Sequence, residues 1–203
     1  PELAKDALDH WQRAQDLDQD NISHLAAQIK LSYRLNLPVN PRWFDELEHR
    51  LKHSIFNFGH RDAISSLAAC ARDYCSIPDA QMQRLFNALL ENQGLKGRSR
   101  MHAEAISLYA FYTINNLNDF DRGLGLFRKA VEIKPDELQY RITLIKVLAH
   151  MHQFDAAEKE LQEYEKSGAI NKNTIDRDNL RTLIDNMREQ STLSSSTDGK
   201  LND

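Results

Sequence analysis

Two pairs of histidines and one pair of cysteines are the residues whose spacing could do chemistry in this chain. His49 and His53 stand four apart, which on a helix turns both imidazoles to one face, where they could grip a metal ion. The flanking Arg50 and Lys52 would repel a cation, so the pair is expected to be two solvated histidines. His150 and His152 are two apart, with His152 at a turn, and no metal is expected there. Cys70 and Cys75 are five apart, too far to bridge within a continuous helix. If the helix ends near Tyr74, the chain could curl back and join them. The expectation is one buried thiol and one at a turn. A bridge would instead imply an oxidising compartment. The sequence has no serine elbow, no glycine-rich phosphate loop and no carboxylates paired in a definable pocket. The expectation is therefore no catalytic residues, no metal and no cofactor.

What must position any useful side chain is a set of helices. Among 203 residues, 41% are hydrophobic and 28% charged, with only seven Gly and five Pro, a composition that suits packed helices joined by short turns. There is no run of 18 apolar residues and no basic-then-apolar leader pattern. The net charge of -4, with both signs mixed along the chain, argues against nucleic acid as a partner, since neutralising phosphates takes a basic face.

The regular part lies between residues 119 and 168. Gly123, Phe127 and Ala130 recur 34 residues later as Ala157, Leu161 and Tyr164, and Pro135 follows Ala130 by five. A small residue lets two helices approach, a large one a turn later fills the groove beside it, and proline stops the helix. Residues 138–151 carry Leu144, Ile145 and Leu148 on one face. This pattern resembles the tetratricopeptide repeat (TPR). The resemblance implies an all-α, right-handed α-α superhelix of about nine to ten helices with a C-terminal capping helix. Such a solenoid binds by surface.

Taken in order, Ala7, Trp11 and Ala14 repeat the small-large-small spacing. Residues 1–17 thus read as the second helix of a repeat whose first helix is missing, as in a piece of a longer chain. Helices are expected at 22–35 (with Asn21 as N-cap), 42–53 (Pro41 in its first turn), 61–74, 80–91 and 99–116. In the last of these either Tyr109 or Ala110 takes the large-residue position. Residues 1–97 are expected to form degenerate TPR-like helix pairs and 98–168 two well-formed units. A capping helix follows in 169–190, from about 174 to 189, with Leu180, Leu183, Ile184 and Met187 inward. Residues 191–203, STLSSSTDGKLND, are expected to be disordered.

In stacked helix pairs the first helices line the concave wall. The inner positions are then Ser23, Ala26, Lys30, Tyr33 and Arg34, followed by Tyr112, Asn115 and Asn116, and by Gln139, Ile142, Lys146, Ala149 and His150. Of these, Lys30, Tyr33, Arg34, Tyr112, Asn115, Lys146 and His150 are the candidate partner-binding residues. The three cations would favour an acidic or carboxylate-bearing protein or peptide.

A second, weaker resemblance spans residues 1 to about 166 and rests on NPRWFDELEHRLKHSIFNFGHRDAISSLAACARDYC and LYAFYTINNLNDFDRGLGLFRKAVEIKPDELQYRITLIKVLAHMHQFDAAEKEL. It is similar to the soluble C-terminal region of bacterial membrane-bound O-antigen ligases and polymerases, including protein O-oligosaccharyltransferases. That resemblance implies a membrane-embedded parent chain, a periplasmic placement and a non-catalytic accessory domain that holds a protein partner. The alternatives are a free-standing cytoplasmic TPR adaptor for a peptide tail, and the TPR region of an O-GlcNAc-transferase-type glycosyltransferase.

Overall fold

The structure is a computed structural model that describes residues 6, 9–10, 13, 21–73, 75–166 and 174–198; for residues 174–176 and 192–198 it describes the backbone only. The described residues form nine α-helices and one 3-10 turn, with no strand. The helices are α1 (Ile22–Arg34), α2 (Pro41–His53), α3 (Phe58–Asp73), α4 (Asp79–Glu91), α5 (Ser99–Asn115), α6 (Phe120–Ile133), α7 (Leu138–His150), α8 (Phe154–Lys166) and α9 (Thr174–Asp198). The 3-10 turn is Gln93–Leu95.

Local chemistry explains most of the ends. Asn21 and Asn40 cap α1 and α2, their side chains accepting from Ser23 N–H and Arg42 N–H, both at 3.1 Å. Pro41 sits where its missing N–H costs nothing. Helices α1 and α7 both close with a residue in the left-handed region, Asn36 (φ 52°) and His152 (φ 57°). Leu37 N–H then donates back to Ser32 O at 2.9 Å, and Gln153 N–H to Leu148 O at 3.0 Å, which satisfies carbonyls that a helix end otherwise leaves open. His152 is thus a helix terminator.

Three expectations are corrected. Helix α3 starts at Phe58, three residues before Arg61, because His60 accepts from Asn57 N–H at 3.2 Å while its own N–H donates to Asn57 O at 3.2 Å. That is one half of a capping box, with histidine in the usual glutamate position and the return bond going to the Asn57 backbone carbonyl. Cys70 and Cys75 are joined as a disulfide, with Cα atoms 5.1 Å apart. The helix ends at Asp73, and Cys75 N–H turns back to Cys70 O at 2.7 Å. Helix α9 continues to Asp198, into the stretch expected to be disordered, since no Gly or Pro interrupts residues 174–198. Residues 199–203, and Ala7, Trp11 and Ala14 near the start, lie outside the described residues.

The chain divides into two compact units, residues 1–123 and 124–203. In the first, α1 packs on α2 and α3, α2 on α4, α3 on α4 and α5, and α4 on α5. Helices α1, α3 and α5 therefore form one row and α2 and α4 another. Leu25, Ile29, Leu47, Leu51, Ile64, Leu67, Met82, Phe86 and Leu89 are buried between them. Tyr109 stacks on Phe86 with ring centroids 4.7 Å apart, so it faces α4. Ala110 is also buried and faces the start of α6. There Gly123 has no room for a side chain: an added Cβ would overlap Ile114 and stand 3.3 Å from Ala110 O. In the second unit α7 pairs with α8, and α9 packs on both. Leu144, Ile145, Leu148, Ala157, Leu161, Tyr164, Leu180 and Ile184 fill its core, while Leu183 and Met187 are half-buried.

Candidate docking face

The candidate residues of the first unit fall on the α1–α3–α5 row. Lys30 Nζ donates to Ser66 Oγ of α3 at 3.0 Å and makes no ion pair among the described residues. Its ammonium keeps donors for another acceptor. Tyr33 is half-buried. Its ring meets Phe44 edge-on at 6.4 Å, and its hydroxyl points to Gln81 Oε1 at 3.5 Å. Burial raises the Tyr33 phenol above its ordinary value. Arg34 is exposed in the last turn of α1, where a cation complements the helix dipole.

Tyr112 is a correction. Its residue is only 2% exposed. The hydroxyl donates to Asp79 Oδ1 at 2.8 Å, and the ring packs on Phe86 at 5.3 Å. Burial first, and then Asp79, hold the phenol well above its usual range. Tyr112 ties α5 to α4 and offers little area to a partner. Ala26, Ile142 and Ala149 are corrected in the same way: all three are buried. They lie one step around the helix from the exposed positions, on faces that meet neighbouring helices.

Asn115 is exposed and does line a groove. The groove runs between α3 and α5, encloses about 220 Å³, and is walled by Ser65, Ala68, Ala69 and Arg72 on one side and by Leu108, Phe111, Tyr112, Asn115 and Asn116 on the other. Phe111 is 42% exposed. Arg72 forks onto its neighbour Asp73, Nε to Oδ1 at 2.7 Å and Nη2 to Oδ2 at 2.9 Å. The combination is a small-residue floor, one rigid aromatic edge, and primary amides that can both donate to and accept from a peptide backbone.

Sequence reasoning missed Phe111 and the α3 wall. In AISLYAFYTI almost every position is apolar, so periodicity could not say which of two adjacent aromatics faces inward. Lys146 and His150 are both exposed on α7, in the second unit.

The histidine pair carries no metal set. His49 and His53 rings are 4.8 Å apart, yet the described residues contain no group of three or more potential ligands. No described helix is long and apolar enough to cross a membrane. Comparison with known proteins returns no match to a family model, to a curated sequence or to a solved structure.

Proposed function

We propose that the chain is a non-catalytic protein-interaction scaffold, built as a TPR-like right-handed superhelix, that receives an extended peptide segment along the α1–α3–α5 row. The observation that carries this reading is the α3–α5 groove. It combines a small-residue floor with a half-exposed Phe111 and the Asn115 and Asn116 amides, in the same helix row as Lys30 and Arg34. The alternation of helices between two rows in the first unit, and the close approach at Gly123, support the superhelical reading. The Cys70–Cys75 bridge supports an oxidising compartment. It therefore favours the accessory domain of a membrane-bound, periplasm-facing glycan ligase or polymerase over a cytoplasmic adaptor. In that setting the domain presents a protein partner to chemistry carried elsewhere in the parent chain.

The test is peptide selection against the intact chain from a random library, followed by affinity measurement. Selected peptides should be extended and acid-rich. Phe111→Ala with Asn115→Ala should weaken binding by tenfold or more, about 1.4 kcal/mol, at an unchanged thermal midpoint. Lys30→Glu with Arg34→Glu should weaken acidic peptides and spare neutral ones. Full affinity in both double variants would remove this face from consideration.

A further inference from the structure

A second surface lies at one end of the first unit, and it differs in kind from the groove. Two turns meet there. Residues 49–61, HRLKHSIFNFGHR, join α2 to α3, and residues 92–103, NQGLKGRSRMHA, join α4 to α5 and open α5. Neither segment contains an Asp or a Glu, and together they hold Arg50, Lys52, Arg61, Lys96, Arg98 and Arg100, in a chain whose net charge is -4.

The fold locks the two turns together. Asn92 Nδ2 donates to Leu51 O at 2.6 Å and to Ser54 O at 3.1 Å, and Arg98 Nη1 donates to Phe56 O at 3.0 Å. Gly94 lies so close that an added Cβ would stand 2.9 Å from Phe56 Cβ. With Phe56 buried as the anchor, its neighbours point outward: Ile55 is 86% exposed and Phe58 62% exposed. Between the turns opens a pocket of about 290 Å³, its walls including Lys52, His53, Ile55, Gln93 and Arg98.

Carboxylates from the surrounding helices neutralise part of this charge. Glu46 pairs with Arg50 at 2.6 Å, Glu91 with Lys52 at 2.6 Å, and Asp62 and Glu104 with Arg61 at 2.7 and 3.0 Å. Lys96 and Arg98 make no ion pair among the described residues and are exposed. The net local charge is positive.

We infer that this end of the molecule docks on an anionic phospholipid bilayer, with Ile55 and Phe58 entering the interface and Lys96 and Arg98 meeting lipid phosphates. The shape decides between this and a folded protein partner. Ile55 and Phe58 project from a turn. A protein would need a concave pocket matched to them, whereas a bilayer takes a projecting apolar wedge without shape complementarity. Long, exposed cations beside the wedge suit a diffuse layer of phosphates. The inference does not depend on the scaffold reading, because the groove residues are separate from these.

Co-sedimentation of the intact chain with vesicles tests it. Vesicles of phosphatidylcholine with about a third phosphatidylglycerol, enough to set up a negative surface potential, should bind the protein, and pure phosphatidylcholine should not. Ile55→Ser with Phe58→Ser should weaken binding by about tenfold or more, since both apolar side chains then stay in water. Lys96→Gln should weaken it by about fivefold, the worth of one cation at the surface. All these residues are exposed, so the thermal midpoint should not change. Ile55→Trp should restore binding when combined with Phe58→Ser, and its fluorescence should shift to the blue on adding vesicles. The proposal is overturned by no binding to the anionic vesicles, by equal binding of the double serine variant, or by an apolar tip that instead drives concentration-dependent dimerisation of the chain. Stronger retention by soluble polyglutamate than by vesicles would assign the surface to an acidic protein and overturn it as well.

Discussion

The two units hold their helices together by different means. In the second unit the small-large spacing suffices: Ala157, Leu161 and Tyr164 are buried against α7 and α9, and the polar contacts are ion pairs near the surface, such as Arg141 with Glu160 at 2.9 Å and Arg181 with Glu165 at 2.8 Å. In the first unit the 34-residue spacing is lost. Directional contacts there join helices or turns distant in sequence: Lys30 to Ser66, Asn92 to Leu51 and Ser54, and Tyr112 to Asp79, while the Cys70–Cys75 bridge closes the end of α3 locally. The difference teaches that which helix meets which can be fixed by periodic apolar packing in one unit and by specific hydrogen bonds in another. Apolar packing is tolerant of drift in spacing, whereas hydrogen bonds are not.

The sharpest break of this comparison is at Asn92. Asn92→Leu keeps the number of branched side-chain atoms but removes two bonds to backbone carbonyls and the cap on Gly94 N–H. It should destabilise the first unit by about 3 kcal/mol, read from hydrogen exchange in α2 and α4, with α7 and α8 protected as before. A loss shared equally by both units would mean that they unfold as one.

Packing substitutions should report on the second unit and on the α5–α6 approach. Ala157→Leu should cost about 1–3 kcal/mol by overpacking, while Lys159→Ala, on the exposed face, should stay within about 0.5 kcal/mol. Gly123→Ala should likewise cost about 1–3 kcal/mol, because the new methyl would meet Ile114. Gly125→Ala, with nothing within 4 Å, should gain about 0.5–1 kcal/mol. Urea titration separates the pairs, and equal effects at positions 123 and 125 would refute the close approach.

Reducing the Cys70–Cys75 bridge should destabilise by about 2 kcal/mol, the loop-closure value for so short a ring. Exchange should accelerate at the end of α3 and the start of α4. A smaller effect follows from His60, which is buried and bonded to Ser54 Oγ at 2.8 Å. Ser54 already donates to Arg50 O, so Nε2 of His60 carries the proton. Burial lowers the folded-state pKa from the ordinary 6.5, against the raising effect of bonds to the Arg50 and Asn57 segments. The unfolded chain therefore binds the extra proton first. Stability from this group is full above pH 6.5 and is lost as pH falls below that value toward the folded one. His60→Gln should flatten that part of the pH profile of the thermal midpoint.

Helix positions were legible in the sequence because their stops are local chemistry. Asn21, Pro41 and the 138–151 apolar face led directly to α1, α2 and α7. The candidate face was legible only in part. Lys30, Arg34 and Asn115 are on accessible surface, but Tyr112 is not. In a helix with apolar residues on nearly all sides, burial is set by which neighbours arrive, here both α3 and α4. The start of α3 was missed because histidine is not a usual capping-box partner. The bridge stayed an alternative in the sequence because closing it needs the helix to end at Asp73, which no Gly or Pro marks.

The proposed scaffold role depends on where a peptide lies. A nitrogen-15 chemical-shift titration of the intact chain with a selected acidic peptide tests this most directly. Shifts concentrated at Lys30, Ala69, Phe111, Asn115 and Asn116, with the 49–61 turn unaffected, are the expected result. Saturable binding whose shifts leave α3 and α5 unmoved would contradict the account.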